Sequence, residues 1–418
     1  MNDRELYQQI LGLTHPWKVT DIQLKLAERQ IVVVAGYKAE TQFPCPHCAA
    51  QCGVYDHRKR RWRHLDTCQL QTILEADVPR VHCHEHGVTQ VAVPWAEEGG
   101  RFTALFEAMV IAWLKEAPIS AVAGLVGLTW DQVDGIQQRA IERGLSRRKT
   151  GVVAKLGIDE TSYQKHHEYI SVLTDRDRSI VLEVLEDRKK ETVLAWLDTL
   201  DEGQLNGIQT VSMDMWEAFI NAFLERVPDA DSKICFDRFH IASYFGKAVD
   251  DVRIGEHKAL KAEGGSSELT HTKHHWLRNS ERTDNRCRIW FMVLTRSSLK
   301  TARAWAIKEQ AGKLWGYTSR TWAEKGWRRL IGWMDRSRLE PVKKLAGTIK
   351  RHLWGILNAV VTSSTNAIGE SLNARIQKIK AMACGFRNRA RFRRAILFHL
   401  GGLDLLPSGV SYPTHTKA

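Results

Sequence analysis

Val152-Val153-Ala154-Lys155-Leu156-Gly157-Ile158-Asp159-Glu160-Thr161-Ser162 is the stretch on which the reading of the chain turns. An apolar run of strand length ends there on an acid. Two more strand-like runs follow at 169–174 and 180–185, then a helix opening at Glu191-Thr192. A strand at 208–213, a helix at 215–224 and a strand at 233–236 complete the series. A meander of strands that gives way to alternating helices and strands predicts a mixed sheet covered by helices. A second acid, Asp214, directly follows the run Thr210-Val211-Ser212-Met213. Strand ends project side chains into a crevice, so Asp159 and Asp214 are the first candidates for a site.

Composition bounds what that site can serve. The chain has 418 residues, 43% hydrophobic and 26% charged, which excludes disordered and collagen-like classes. Lys and Arg number 61 against 48 acids, a net charge of +13 that points to a polyanionic partner such as nucleic acid. The longest apolar runs, Ile31-Val32-Val33-Val34 and Met109-Val110-Ile111-Ala112-Trp113-Leu114, are far short of the ~18–20 residues of a membrane span. The start, Met1-Asn2-Asp3-Arg4-Glu5, lacks the layout of a secretory signal, so no membrane partner is expected. Without an export signal, the eight cysteines point to thiols or a metal.

Five of those cysteines fall between Cys45 and Cys83. Cys45-Pro46-His47-Cys48 and Cys83-His84-Glu85-His86 form two knuckles whose two-residue gaps let both side chains reach one ion. Thiolate and imidazole suit Zn²⁺, and four such ligands leave no open position, so a structural zinc ribbon on Cys45, Cys48, Cys83 and His86 is expected. His47, Cys52 and Cys68 stay open as alternative ligands, while the isolated Cys235, Cys287 and Cys384 read as core residues. Downstream, Pro118 to Val133 has the layout of a helix-turn-helix. Ala123 allows close packing, Gly127 the turn, and Thr129 with Gln132 a capping box on the second helix. Such a helix fits the DNA major groove. The basic link with Arg143, Arg147, Arg148 and Lys149 would contact phosphates.

The stretch 244–357 reads as an all-helical insertion. From 240 to 360 there are 24 basic and 11 acidic residues, and eight of the fifteen tryptophans, Trp276, Trp290, Trp305, Trp315, Trp322, Trp327, Trp333 and Trp354. At least six of these are expected to pack inside, leaving one or two to stack on unpaired bases. Beyond it, Asn366, Glu370 and Asn373 share a helical face at i, i+4 and i+7. Eight basic residues and no acid follow between Ser371 and Leu403; Arg375, Lys378, Lys380, Arg387 and Arg389 are the leading candidates to track a phosphate backbone.

Taken together, these segments resemble the transposases of the ISL-three insertion-sequence family, of the DDE class with a ribonuclease-H-like core. The resemblance lies in Gly157-Ile158-Asp159-Glu160-Thr161-Ser162, Val211-Ser212-Met213-Asp214-Met215-Trp216 and Ser364-Thr365-Asn366-Ala367-Ile368-Gly369-Glu370-Ser371. It extends to Arg61-Trp62-Arg63-His64-Leu65-Asp66, the first knuckle and the ending Cys384-Gly385-Phe386-Arg387-Asn388-Arg389. It implies Asp159, Asp214 and Glu370 as catalytic acids holding Mg²⁺ or Mn²⁺. Asp237-Arg238-Phe239-His240 resembles a signature seen after the second acid in related families, which gives Asp237 and His240 a supporting role, with Asn366 and Asn373 beside Glu370. The alternative for His240 is that it caps or packs its helix. Glu160, Asp175 and Asp177 receive no role.

The expected fold is multidomain α/β. A zinc-ribbon domain (1–98) and a helix-turn-helix domain (99–150) precede a ribonuclease-H-like core (151–243), the Trp-rich insertion (244–357) and the rest of the core with a basic C-terminal helix (358–418). The expected activity is DNA transposition: binding of terminal inverted repeats, metal-dependent strand cleavage, and attack of the freed 3′-OH on target DNA. A homodimer or larger synaptic complex in the bacterial cytoplasm, on the nucleoid, would handle two ends together. The rivals are a DNA-binding regulator derived from a transposase and lacking catalysis, and a nuclease that cuts without joining.

Overall fold

Local signals place most element boundaries. In the computed structural model, residues 2–149, 151–164, 168–264, 267–278, 285–362 and 367–411 are described. They form two units, residues 1–148 together with the chain from Leu403 onward, and Lys149–Gly402.

The first unit opens with α1 (Asp3–Ile10), started by a capping box in which Asn2 and Glu5 exchange hydrogen bonds. The strands β1 (Lys18–Lys25), β2 (Gln30–Gly36), β3 (Phe43–Pro44), β4 (Gln51–Cys52), β5 (Val54–Arg63), β6 (Gln71–Cys83) and β7 (Gly87–Gln90) follow. The main sheet runs β1-β2-β6-β5, with β7 also on β6, and β3 pairs with β4 in a separate ribbon. Alternation along β6 sends Leu74, Ala76 and Val78 into a core with Val33, Trp17, Trp62 and Trp95. Three helices come next: α2 (Ala104–Leu114), α3 (Ile119–Val126) and α4 (Trp130–Arg147). Gly127, at φ +64, makes the left-handed turn that ends α3. Thr129 Oγ1 accepts from Gln132 N at 3.3 Å while Thr129 N donates to Gln132 Oε1 at 2.9 Å, the expected capping box of α4.

In the second unit, β8 (Lys155–Gln164), β9 (Glu168–Asp175) and β10 (Ile180–Leu185) form an antiparallel meander. After α5 (Lys190–Leu197) and α6 (Glu202–Gly207) comes β11 (Thr210–Met213); after α7 (Glu217–Arg226) and α8 (Ala230–Lys233) comes β12 (Ile234–Phe236). The strand order β10-β9-β8-β11-β12, with β8, β11 and β12 parallel, is the mixed sheet expected of a ribonuclease-H-like core. The insertion comprises α9 (Arg238–Ala262), α10 (Lys273–Leu277), α11 (Asn285–Thr295), α12 (Lys300–Lys313), α13 (Arg320–Arg336), α14 (Glu340–Arg351) and α15 (Leu353–Thr362). The chain ends with α16 (Ala367–Met382) and α17 (Arg389–Leu400). One hydrophobic core runs from the sheet into the insertion. Phe236 of β12 packs so closely on α15 that a Cβ at Gly355 would stand 2.5 Å from its ring.

Several expected boundaries move. The cuts at 243/244 and 357/358 fall inside the continuous helices α9 and α15, so the insertion grows from the core without a linker. The cut at 98/99 is bridged, because Arg63 N donates to Arg101 O and Thr103 N to Arg63 O, each at 3.0 Å. The end of the chain belongs with the first unit rather than the core: Gly144 of α4 approaches so near that a Cβ would lie 2.7 Å from Leu403 Cβ. Of the eight tryptophans, Trp276, Trp305, Trp315, Trp327 and Trp354 pack on the core, but Trp290, Trp322 and Trp333 are exposed, one more than expected. Cys235 is buried as expected and Cys384 is exposed, while the side chain of Cys287 lies outside the described residues. Among the described residues no helix is long and apolar enough to cross a membrane.

Candidate active site and DNA-binding elements

Register explains why the acids meet. Gly157 of β8 pairs with Ser212 of β11, and Ser212 with Cys235 of β12. Asp159, Asp214 and Asp237 each lie two residues beyond these partners, so three parallel strands deliver one carboxylate apiece at one level and on one face. Asp159 does not end its strand as expected. β8 continues through Gln164 in its hairpin with β9, while its pairing with β11 stops at Gly157, and the acid sits just past that point. Gly157 is required by close approach, since a Cβ there would stand 2.5 Å from Thr174 Oγ1.

The first turn of α9 fills the space between the acids. Asp237 caps that helix, its Oδ1 accepting from Phe239 N at 3.0 Å. His240 places Nε2 at 3.5 Å from Asp159 Oδ1 and 3.6 Å from Asp237 Oδ2, and Nδ1 at 3.7 Å from Asp214 Oδ2. Its pKa rises to about 9, through the hydrogen bond to Asp159 first, against burial, and then through the charges of Asp214, Asp159 and Asp237. The imidazolium is thus a counter-ion for all three acids at neutral pH. One turn further, Tyr244 donates to Asp214 Oδ2 at 3.1 Å and Oδ1 at 3.3 Å. Burial first, then Asp214, pushes its pKa up to about 12.

Helix α16 is fastened along β8. Asn373 Nδ2 donates to Asp159 Oδ2 at 2.7 Å, Gln377 Nε2 to Thr161 Oγ1 at 2.8 Å and Lys380 Nζ to Ser162 O at 2.9 Å. Glu370 stands exposed one turn before Asn373, on the neighbouring surface of that helix. Asn366 lies outside the described residues. Sequence reading did not single out Tyr244 or Arg188, and gave no role to Glu160, which lies beside Asp159 in the chain. Glu160 has its pKa raised by burial and pairs with Arg188 at 3.3 Å, and Arg188 lies over the ring of Trp216 at 4.5 Å. The spacing of Asp237, His240 and Tyr244 at i, i+3 and i+7 was the available signal for Tyr244.

The candidate metal cluster of the first unit comprises Cys45, Cys48, Cys83 and His86, whose ligand atoms all lie within 4.8 Å of one another. Cys48 Sγ to Cys83 Sγ is 3.5 Å, Cys83 Sγ to His86 Nδ1 3.6 Å and Cys45 Sγ to His86 Nδ1 3.9 Å. A tetrahedral zinc with metal–sulfur bonds of ~2.3 Å requires edges of about 3.8 Å, so the donor set fits. Hydrogen bonding to the His86 side chain, then to the backbone of His86 and Glu85, holds the Cys83 thiol down to about 6. His47 instead rests against the His86 ring, and Cys52 Sγ donates to Ala50 O at 3.4 Å.

The basic residues divide sharply. Arg143 is buried: its Nε donates to Glu97 Oε1 at 2.7 Å, its Nη1 to Leu405 O at 2.5 Å, and Nη2 pairs with Glu107 at 3.3 Å. Arg147 clamps the end of the chain through Leu406 O at 2.6 Å and Ser408 Oγ at 2.9 Å. Arg143 therefore serves packing, which corrects its assignment to phosphate, whereas Arg147 stays about one third exposed. Arg148 is half-buried and Lys149 exposed. Of the tail cations, Arg389 pairs with Glu168 at 3.2 Å, while Arg375, Lys378 and Arg387 are exposed. The exposed face of α4 carries Asp131, Gln138 and Glu142, with no cation among its exposed residues; charge collects instead on β5, where His57, Arg58, Lys59 and Arg61 are exposed.

With this geometry in place, comparison with known proteins is direct. Residues 156–396 match the transposase model of the ISL3 DDE group, 91–141 the helix-turn-helix domain of transposase family ISL3, and 41–86 the zinc-finger of transposases of IS204, IS1001, IS1096 and IS1165. The transposase for insertion sequence element IS1557 from Mycobacterium tuberculosis is 27% identical over 453 aligned residues, covering 99% of both chains. That for IS1001 from Bordetella parapertussis is 24% identical over 353 residues, covering 83% of this chain and 86% of the relative. The chain belongs to the ISL3 family of transposases.

Proposed function

We propose that this transposase binds the terminal inverted repeats of its element with the zinc-ribbon and helix-turn-helix unit, and cuts and joins DNA strands at Asp159, Asp214 and Glu370. The observation that carries the proposal is the convergence of Asp159, Asp214 and Asp237, from three parallel strands, on His240. Such a carboxylate set suits hard cations, Mg²⁺ or Mn²⁺, which when bound supply charge neutralisation and an acidified water. Asn373 fixes one oxygen of Asp159, Tyr244 holds Asp214, and His240 keeps the acids together by offsetting their repulsion. Asp237, capped into α9, orients His240 and is not itself counted among the three catalytic acids. Lys149, Arg375, Lys378 and Arg387 supply exposed phosphate contacts, and β5 supplies more in the first unit. The Cys45, Cys48, Cys83 and His86 set holds a structural Zn²⁺, and two DNA ends require a dimer or larger synaptic complex.

The test incubates purified protein with duplexes carrying the element ends, in Mg²⁺, Mn²⁺ or EDTA, beside Asp214→Asn. Metal-dependent cuts at the repeats, joining of the 3′-OH ends to a second plasmid, and loss of both in Asp214→Asn are the expected results. Tight repeat binding without cutting in either metal would establish the regulator instead, and cutting without joining a nuclease.

A further inference from the structure

The helical insertion carries a cleft of about 680 Å³, within the ~300–1,000 Å³ range of small-ligand sites. Its composition is unusual for a packing defect. Trp322, Trp333 and Tyr317 line it with Lys325, Arg329 and Arg336, and no acid lines it among the described residues. The order on α13 explains the arrangement. Trp322, Gly326, Arg329, Trp333 and Arg336 recur at helical spacing along one side, so indoles and cations alternate down the cleft. The opposite side of α13 buries Ala323, Trp327 and Met334 in the core, while Leu330, also buried, reaches the wall of the cleft. The exposed aromatic and basic residues thus form a stripe beside the buried one, which they meet at Leu314 and Leu330.

Exposure strengthens the argument. Trp322 is 61% exposed, Trp333 37% and Tyr317 38%, whereas five other tryptophans of this region pack on the core. Lys325 Nζ lies 4.8 Å from the centre of the Trp322 ring, so a cation already borders that aromatic surface. Gly326 keeps the floor low: a Cβ there would stand 3.0 Å from both Tyr317 Cε2 and Leu314 Cδ2. Flat aromatic faces accept any base, and the interleaved Lys and Arg match a phosphate backbone; a duplex, whose bases are stacked on one another, cannot use the indoles.

We propose that this cleft binds unpaired nucleotides of single-stranded DNA, with bases stacked on Trp322 and Trp333 and phosphates on Lys325, Arg329 and Arg336. It rests on the reading of the protein as a DNA transposase, and gives the insertion a task in holding bases that leave the duplex.

The experiment measures fluorescence anisotropy of a labelled oligothymidylate and of a hairpin duplex of equal length, using the full chain. The Trp322→Ala, Trp333→Ala double variant should weaken oligothymidylate binding roughly 5- to 150-fold per stacked base lost, and leave duplex binding unchanged. Phe at both positions should restore most of the affinity, which a charge-only site would not require. Arg329→Gln should flatten the salt dependence by about 0.7 in slope. The proposal is overturned if the double Ala variant, folded by circular dichroism, binds oligothymidylate like the wild type. It is equally overturned if inorganic polyphosphate competes as well as oligothymidylate, or if the wild type does not bind the oligomer. Asp214→Asn separates the two readings, because its failure to cut tests the catalytic assignment while its oligothymidylate binding tests the cleft.

Discussion

Removing the Asn373 amide tests how the catalytic acids are aligned. Asn373 Nδ2 donates at 2.7 Å to Asp159 Oδ2, in a half-buried setting, and is the first of three fasteners between α16 and β8. Glu370 has no place in the sheet and takes its position from that helix. Hydrogen bonds to charged groups are worth about 1.5–3 kcal/mol. Asn373→Ala should therefore slow single-turnover cleavage by roughly 10- to 150-fold, if the alignment it provides persists in the transition state. Gln377→Ala removes a neutral pair worth about 0.5–1.5 kcal/mol, and should cost roughly 2- to 12-fold. Duplex affinity, measured by anisotropy, should stay within twofold for both, because neither residue is placed against DNA. Asn373→Asp should be worse than Ala, since it sets a second carboxylate against Asp159. A cleavage rate for Asn373→Ala equal to wild type, or a larger loss in Gln377→Ala, would refute the idea that this fastening aligns the site.

Four further outcomes follow from the geometry. Cys83→Ser, or chelation with a strong zinc ligand, should melt the first unit. Structural zinc contributes about 10–16 kcal/mol against domain stabilities of about 5–15, and differential scanning calorimetry with and without metal would register the loss. His64, buried and hydrogen-bonded to Thr103 at 2.8 Å, has its pKa lowered to about 4 by burial first and then by Arg63. Its stabilising contribution is complete above the unfolded value near 6.5 and is lost as pH falls toward 4, about 3 kcal/mol across the span; denaturant melts of His64→Gln should be flatter over that range. Gly157→Ala, with its Cβ 2.5 Å from Thr174 Oγ1, should destabilise the protein by about 1–3 kcal/mol in urea melts and reduce cleavage by displacing β8 at Asp159. Arg58→Ala on β5 should weaken binding equally for all duplex sequences and lower the salt slope by about 0.9, whereas Gln138→Ala on α4 should relax sequence preference in competition assays.

What the sequence disclosed, and what it withheld, follows from the range of each signal. Each zinc knuckle and the Thr129–Gln132 box is local, with partners three residues apart, although the two knuckles meet across 35 positions. The sheet was readable because a meander followed by strand–helix alternation admits few arrangements. Arg143 failed for the opposite reason. Its position in a basic link suggested solvent and phosphate, yet Glu97 and Glu107, 46 and 36 residues away, and the Leu405 carbonyl, 262 residues away, draw it inward. No pattern near Arg143 carries that information. The same holds for Trp290, Trp322 and Trp333, whose exposure depends on which face of each helix the neighbouring helices cover.

The candidate site lies between these cases, and its logic is one of register rather than of proximity in sequence. Asp159, Asp214 and Asp237 are separated by 55 and 23 positions. Yet each is two residues beyond a mutually paired trio, Gly157, Ser212 and Cys235, so parallel pairing alone puts them side by side. Three carboxylates at one level would repel, and the fold meets this with His240, whose helix starts on the third acid itself. A parallel sheet thus concentrates charge at one edge, and the first turn of the following helix neutralises it. The same turn leads into the insertion through an unbroken α9, which ties the helical module to the acids without a hinge.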